Sequence, residues 1–70
     1  MYPEKRWFIP KRTDDLKIVA RPYIGKQVTV VSWHENTAMK EDYPDDEVVG
    51  HVEEFALDVP RSELLLTPPA

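Results

Sequence analysis

The stretch from residue 47 to 57, EVVGHVEEFAL, is the longest β-prone run of the chain and constrains its fold more than any other segment. Side chains alternate between the two faces of a strand. A regular strand with Val48, Gly50 and Val52 on its buried face would therefore bury Glu54 and expose Phe55. One extra residue at Glu53 and Glu54 returns Phe55 to the buried face. We therefore predict one bent strand with a β-bulge at that point. A bulge and a strand glycine together are typical of a small sheet that curls toward a barrel.

Three further segments are predicted to be strands: residues 14–21 (DDLKIVAR), 27–34 (QVTVVSWH) and 63–67 (ELLLT). Gly25, just before the second of them, is expected to take a positive φ in a turn. Residues 58–62 are expected to form a turn or a single 3₁₀ turn. No segment shows a helical period over a useful length, so the predicted fold is all-β.

The N-terminal segment differs from the rest because Pro3 and Pro10 flank the sequence KRWFI. Proline at both ends limits this segment to an arm or a short edge strand. The fold we expect is a four- to five-stranded, strongly bent antiparallel sheet or small barrel. Its expected parts are a basic aromatic arm at 1–13, a barrel domain at 14–67 with an acidic loop at 35–47, and a C-terminal tail at 68–70.

Length and composition limit the classes of protein to which this chain can belong. A chain of 70 residues makes one domain with a thin core, so self-association would add stability. The sequence has no cysteine, which excludes disulfides, thiolate metal sites and cysteine nucleophiles and makes the cytoplasm the simplest location. No apolar run approaches the roughly 20 residues that span a bilayer, and the N-terminus lacks the apolar core of a signal peptide. We expect no membrane association.

Charge is distributed unevenly along the chain. Residues 1–26 carry seven basic and three acidic side chains, a net charge of +4, whereas residues 27–70 carry two basic and ten acidic ones, a net charge of −8. One interpretation is that the basic segment packs on the acidic body of its own or a neighbouring subunit. The other is that the basic segment is an arm that reaches a polyanion.

Few residues indicate site chemistry. The acids Asp42, Asp45, Asp46 and Glu47 lack the alternate oxygen ligands and central glycine of a calcium loop, so a solvated acidic loop is the favoured interpretation. His34 and His51 would supply half of a zinc site if their strands were neighbours, which is weak support for a metal. There is no nucleophile elbow and no glycine-rich phosphate loop. We expect no metal, no cofactor and no enzymatic activity.

Three short motifs carry a family resemblance: IGKQVTV at 24–30, GHVEEF at 50–55 and LLL at 64–66. In this order they resemble the strand skeleton of small SH3-like and Sm-like β-barrels, and VPRSEL at 59–64 resembles the turn before the last strand of SH3-like domains. The resemblance implies a small barrel fold and ring or dimer assembly. Ala56 follows Phe55 where the Sm family has an aspartate, and no asparagine follows, so no RNA-contacting residue is carried over.

Two functions from different classes fit these observations. The first is a non-enzymatic protein-interaction module or small accessory subunit, phage-like or bacterial in its small size. It would self-associate or dock on a partner protein through sheet edges and the arm, and its candidate partner-binding residues are Trp7, Phe8, Ile9, Trp33 and Tyr43. The alternative is a nucleic-acid binder, with phosphate contacts and base stacking supplied by Lys5, Arg6, Trp7, Phe8, Lys11 and Arg12. The acidic body would repel the same polymer, so the first function is favoured.

Overall fold

A computed structural model describes residues 3–69 of the chain. They form one five-stranded antiparallel sheet that is strongly curled into a half-barrel. The strands are β1 (Glu4–Phe8), β2 (Gln27–Glu35), β3 (Val48–Val52), β4 (Leu57–Pro60) and β5 (Leu64–Leu65). Their order in the sheet is β4-β3-β2-β1-β5, so the first four strands form a meander and β5 returns to pair with β1. The predicted all-β fold is confirmed.

Strand β2 is the centre of the sheet and follows its sequence pattern closely. It pairs with β1 on one side and with β3 on the other. Val28 and Val30 are fully buried, and Gly25 takes the expected positive φ of 78° in the turn that precedes the strand. The β-bulge of the sheet also lies here, because the register between β2 and β3 shifts between Val30 and Ser32. The bulge was expected in a different strand.

The stretch 47–57 is not one bent strand, so that prediction is wrong. It is most of a hairpin: β3 ends at Val52, residues 53–56 form a turn, and β4 begins at Leu57. Ala56 has a φ of 54°, which is the left-handed conformation that a tight turn demands. The change of phase between Val52 and Phe55 therefore comes from a reversal of the chain, and a reversal shifts the alternation just as a bulge would.

Two other strand predictions are corrected. Residues 14–21 are turns followed by a 3₁₀ turn (Arg21–Tyr23), and Ala20 donates its N–H to the carbonyl of Lys17 at 3.0 Å. The alternating pattern failed because Ile18 points into solvent, with 81% of its surface exposed. In contrast, β1 is neither a free arm nor an edge strand, because it lies between β2 and β5. Pro3 and Pro10 sit just outside its ends, where they interrupt no ladder hydrogen bond.

The C-terminal segment is shorter and tighter than expected. The predicted turn at 58–62 is divided between the end of β4 and a 3₁₀ turn (Arg61–Glu63). The last strand covers only Leu64–Leu65 of the predicted 63–67. This short strand pairs Trp7 with Leu65 and Phe8 with Leu64, which closes the sheet against β1.

The core fills the concave side of the sheet. The Phe8 and Phe55 rings have centroids 5.2 Å apart, and Tyr23 lies 5.7 Å from Phe55. Phe8 and Leu64 are each only 1% exposed. The full set of buried residues in the core is Phe8, Ala20, Val28, Val30, Val52, Phe55, Val59 and Leu64.

Candidate binding groove

Two long loops stand on either side of strand β4 and leave a groove between them. The first loop is residues 9–26, between β1 and β2, and the second loop is residues 36–47, between β2 and β3. The cavity measures about 240 Å³. Its lining residues are Phe8, Arg12, Asp15, Leu16, Lys17, Ala20, Met39, Asp42, Tyr43, Phe55, Leu57, Asp58, Val59, Pro60 and Glu63.

The floor of the groove is apolar because the hydrophobic core reaches the surface here. Phe8, Phe55 and Val59 belong to the core and also line the cavity. Leu16 from the first loop and Leu57 from β4 are half-buried against the same cluster. Covering the half-buried leucines with another apolar side chain would remove their remaining apolar surface from water, which is favourable.

The rim of the groove is charged. Arg12 spans the mouth, with Nη2 at 3.4 Å from Oδ2 of Asp15 and Nη1 at 3.3 Å from Oδ1 of Asp42. A hydrogen bond to Asp42, and the charge of the same carboxylate, raise the pKa of Arg12 above its ordinary value. The lining includes the carboxylates of Asp15, Asp42, Asp58 and Glu63 but only the cations Arg12 and Lys17. The groove is therefore negatively charged overall.

Asn36 holds the second loop in one shape. Its side chain is only 2% exposed, and Nδ2 donates to the carbonyl oxygens of Asp46 at 2.7 Å and Tyr43 at 3.3 Å. Its Oδ1 accepts a hydrogen bond from the N–H of Met39 at 2.9 Å. One buried amide thus satisfies three backbone groups, which is how a long loop without regular structure keeps a fixed conformation.

Both loops are tied to the 3₁₀ turn at Arg61–Glu63. The carboxylate of Asp46 accepts hydrogen bonds from N and Oγ of Ser62, at 3.0 and 2.8 Å. Glu63 is buried, and its Oε2 accepts the N–H of Lys11 in the first loop at 2.9 Å. Burial, and then a hydrogen bond and the charge of Glu63, raise the pKa of Tyr43 above its ordinary value. The groove walls are therefore fixed before any ligand arrives.

The predicted partner-binding residues do not form one surface. Phe8 lies in the core, and Tyr43 lines the groove. Trp7 alternates with Phe8 along β1, so it faces the convex side of the sheet, and its strand partner is Leu65. Ile9 follows the end of β1 and donates its N–H to the carbonyl of Glu63 at 2.9 Å. Trp7 and Ile9 are both half-buried.

Trp33 covers one end of the core with two residues of β1. Its Nε1 donates to Oε1 of Glu4 at 2.9 Å, and the guanidinium of Arg6 lies 5.1 Å from its ring centroid. Arg6 also forms a 2.7 Å salt bridge with Glu4. The pKa of Glu4 is lowered, first by the hydrogen bond from Trp33 and then by Arg6. Trp33, Glu4 and Arg6 together close this end of the core.

Most of the basic residues proposed for nucleic-acid contact have partners within the chain. Lys5 donates to Oγ1 of Thr29 at 2.7 Å, and Arg6 donates to the carbonyl of Leu64 at 3.1 Å in addition to its salt bridge. Arg12 is held by the two aspartates at the groove mouth. Lys11 has an exposed side chain. Of the two aromatic residues, Phe8 is buried, so its ring cannot stack on a base.

The two histidines considered for metal binding lie on neighbouring strands, where His51 pairs with Ser32 and His34 with Val49, but each ring has a partner in the chain. His34 is hydrogen-bonded to Oγ of Ser32 at 2.7 Å, and Nδ1 of His51 is 2.9 Å from Oδ1 of Asp58. Within residues 3–69, no three His, Cys, Asp or Glu side chains are placed to hold a metal ion. In the second loop, Asp42 faces Arg12 and Asp46 is used by Ser62, so these two acids of the loop are not simply solvated.

Phe8, Arg12 and Tyr43 were candidate site residues and line the groove, but other residues that shape it were missed because their role depends on partners far along the chain. Asn36 stands alone at the end of a strand, and Leu16 was assigned to a strand that does not form. The only available signal was the length of the two loops, since long loops in compact domains are often functional.

Comparison with family models, with curated proteins and with solved structures gave no match to this chain. Among residues 3–69, no helix has the length and apolar character needed to cross a membrane.

Proposed function

We propose that this chain is a non-enzymatic protein-interaction module that holds a short segment of a partner protein in the groove between its two long loops. The observation that carries the proposal is a groove above the core, between charged walls, whose accessible apolar surface is supplied by the half-buried Leu16, Tyr43 and Leu57. Grooves with an apolar floor and a few fixed polar groups are the usual form of a binding site. Walls that are fixed in advance reduce the entropy cost of binding.

The fold proposed for this module is the SH3-like or Sm-like small barrel. Its support is the meander of β1 to β4, the 3₁₀ turn at Arg61–Glu63 and the return of β5 beside β1. This order agrees with the resemblance carried by residues 24–30, 50–55 and 59–66. A fold of this kind has many functions, so the function rests on the groove itself. The cytoplasmic location remains a prediction.

The groove supports this function better than nucleic-acid binding. Lys5, Arg6 and Arg12 are engaged by groups of the same chain, so a phosphate would have to displace those contacts. The groove rim carries more acids than bases and would repel a polyanion. A neutral or cationic peptide meets neither obstacle.

A random peptide library tests the proposed function. Ten-residue peptides are selected on the wild-type protein, and enriched peptides are then titrated into ¹⁵N-labelled protein. We expect the largest amide shift changes at groove residues such as Leu16, Tyr43 and Val59. Shift changes centred on Trp7 and Leu65 on the convex face, or a library that yields no enriched peptide, would overturn the proposal.

A pair of charge variants makes this test specific. Asp42→Lys alters the groove rim, whereas Asp45→Lys makes the same change in the same loop at an exposed residue that does not line the groove. Both variants are expected to fold. For the enriched peptides, we expect roughly tenfold weaker binding to Asp42→Lys if they are cationic and little change for Asp45→Lys.

A further inference from the structure

The first loop carries an exposed apolar pair near its middle. Ile18 and Val19 are 81% and 57% exposed, which is unusual for two adjacent β-branched side chains in a chain with so small a core. Exposed Lys17 and Arg21 flank them. Residues 17–21 are called the loop tip below.

The loop tip is held in a fixed turn. Ala20 is buried in the core with 1% of its surface exposed, and it anchors the tip from below. Its N–H bonds the carbonyl of Lys17 at 3.0 Å, the N–H of Arg21 bonds the carbonyl of Ile18 at 3.2 Å, and Nε of Arg21 donates to the carbonyl of Leu16 at 3.2 Å. The two apolar side chains are therefore presented to solvent by a rigid, cationic turn.

We propose that the occupant of the groove is the loop tip of a second copy of this chain. This inference rests on the proposed function, because it uses the same groove as a docking site. The tip offers two apolar side chains between two cations. The groove offers half-buried Leu16 and Leu57 beneath a rim with three exposed carboxylates, those of Asp15, Asp42 and Asp58, beside Arg12 and its own Lys17. Apolar burial and opposite charge act together in this pairing.

The position of the tip sets the symmetry of the assembly. Lys17 lines the groove of its own copy, and Ile18 follows it directly, so the tip borders the groove. Two copies that exchange their tips about a two-fold axis would form two equal contacts and leave no groove open. Closed two-fold dimers of this kind are the commonest homo-oligomers. The same contact adds buried apolar surface to a domain whose own core is thin.

The experiment disrupts the tip in one variant and the groove in another, so that each variant keeps one half of the contact. The tip variant carries Ile18→Ser and Val19→Ser, and the groove variant carries Asp15→Lys and Asp42→Lys. All four positions are exposed, so both proteins are expected to keep their fold, which the amide spectrum checks. Sedimentation equilibrium is measured for the wild type, for each variant and for their equimolar mixture, up to about 1 mM protein because a small contact is weak.

We expect the wild type to approach twice its monomer mass of 8.2 kDa as concentration rises, with the dissociation constant increasing as salt is added. Each variant alone should remain a monomer. The mixture should form a heterodimer weaker than the wild-type dimer, because only one of its two contacts joins an intact tip to an intact groove. A mixture that associates no more than either variant alone, beside a wild-type dimer tight enough for one contact to be measurable, would overturn the inference, since the dimer would then use another surface.

Failure of this inference can be distinguished from failure of the proposed function. The tip variant keeps its groove and has no tip to compete for it, so it should bind the enriched library peptides at least as tightly as the wild type does. A wild type that is monomeric at every concentration, yet binds those peptides in the groove, would overturn the second copy as occupant and leave the interaction module standing. Loss of peptide binding by every protein would instead remove the groove as a site.

Discussion

Glu54 and Thr29 are joined by two hydrogen bonds, from the Thr29 N–H to Oε1 at 2.8 Å and from its Oγ1 to Oε2 at 2.9 Å. The N–H of Glu53 also donates to the carbonyl of Thr29 at 2.9 Å. These contacts fold the turn between β3 and β4 back over β2. They fix the turn against the central strand, directly before Phe55 enters the core.

Replacing Glu54 with glutamine should make the free energy of unfolding less dependent on pH in the acid range. Burial raises the pKa of Glu54, but hydrogen bonds from the Thr29 backbone, its own backbone and the Thr29 hydroxyl together lower it below 4.5. A lowered pKa in the folded state contributes stability above the ordinary value, and this is lost as the pH falls through the lowered pKa. We expect Glu54→Gln to cost about 1 kcal/mol at neutral pH.

Urea unfolding across the acid range checks this expectation. The difference in unfolding free energy between the wild type and Glu54→Gln should shrink between about pH 5 and pH 3. Glu53→Gln changes the exposed neighbour and serves as the control. If the difference in unfolding free energy between the wild type and Glu54→Gln stays constant over this range, the carboxylate charge is not involved.

Gly50→Ala should destabilise the fold by about 1–3 kcal/mol through overpacking. A Cβ at this position would lie 2.8 Å from Cζ3 of Trp33, 2.9 Å from Cδ1 of Leu64 and 3.0 Å from Cγ1 of Val30. Leu64 and Val30 are buried and have little room to move. Chemical denaturation of Gly50→Ala, of Trp33→Leu and of the double variant measures the effect. The double variant should lose less than the sum of the two singles, and strict additivity would contradict the close approach.

Asn36→Ala should loosen the second loop. It removes both hydrogen bonds that the amide donates to Tyr43 and Asp46, and it leaves the N–H of Met39 without its acceptor. We expect a loss of roughly 2 kcal/mol and faster hydrogen exchange at Met39. Asn36→Asp retains an acceptor for Met39 but cannot donate, so it should protect that amide while losing similar stability. Equal exchange in the wild type and Asn36→Ala would refute this role.

Phe8→Ala should cost about 3–5 kcal/mol, because it empties a site at the centre of the core. A loss of this size approaches the whole stability of a small domain, so the variant should be largely unfolded at 37 °C. Trp7→Ala removes a larger ring from the convex face and should cost less. Circular dichroism melts compare the two. An equal loss would contradict the assignment of Phe8, and not Trp7, to the core.

Local pattern was enough to predict the parts of this fold that depend on near neighbours. The β-prone run at 27–34 marked β2, which ends one residue later at Glu35; Gly25 marked the turn before it, and the lack of a helical period marked the all-β class. These features follow from steric limits on the backbone and from the period of a strand. They require no knowledge of what lies opposite.

Tertiary structure alone decided which strands pair and which loops meet. The sequence of residues 47–57 fits a bulged strand and a hairpin equally well, and Glu54 selects the hairpin by reaching Thr29 across 25 positions of sequence. The groove likewise needs Arg12 beside Asp42, and Asp46 beside Ser62. Period and composition report only what adjacent residues prefer, whereas a buried polar side chain is stable only where a distant partner satisfies it. Only the tertiary structure shows which residue that partner is.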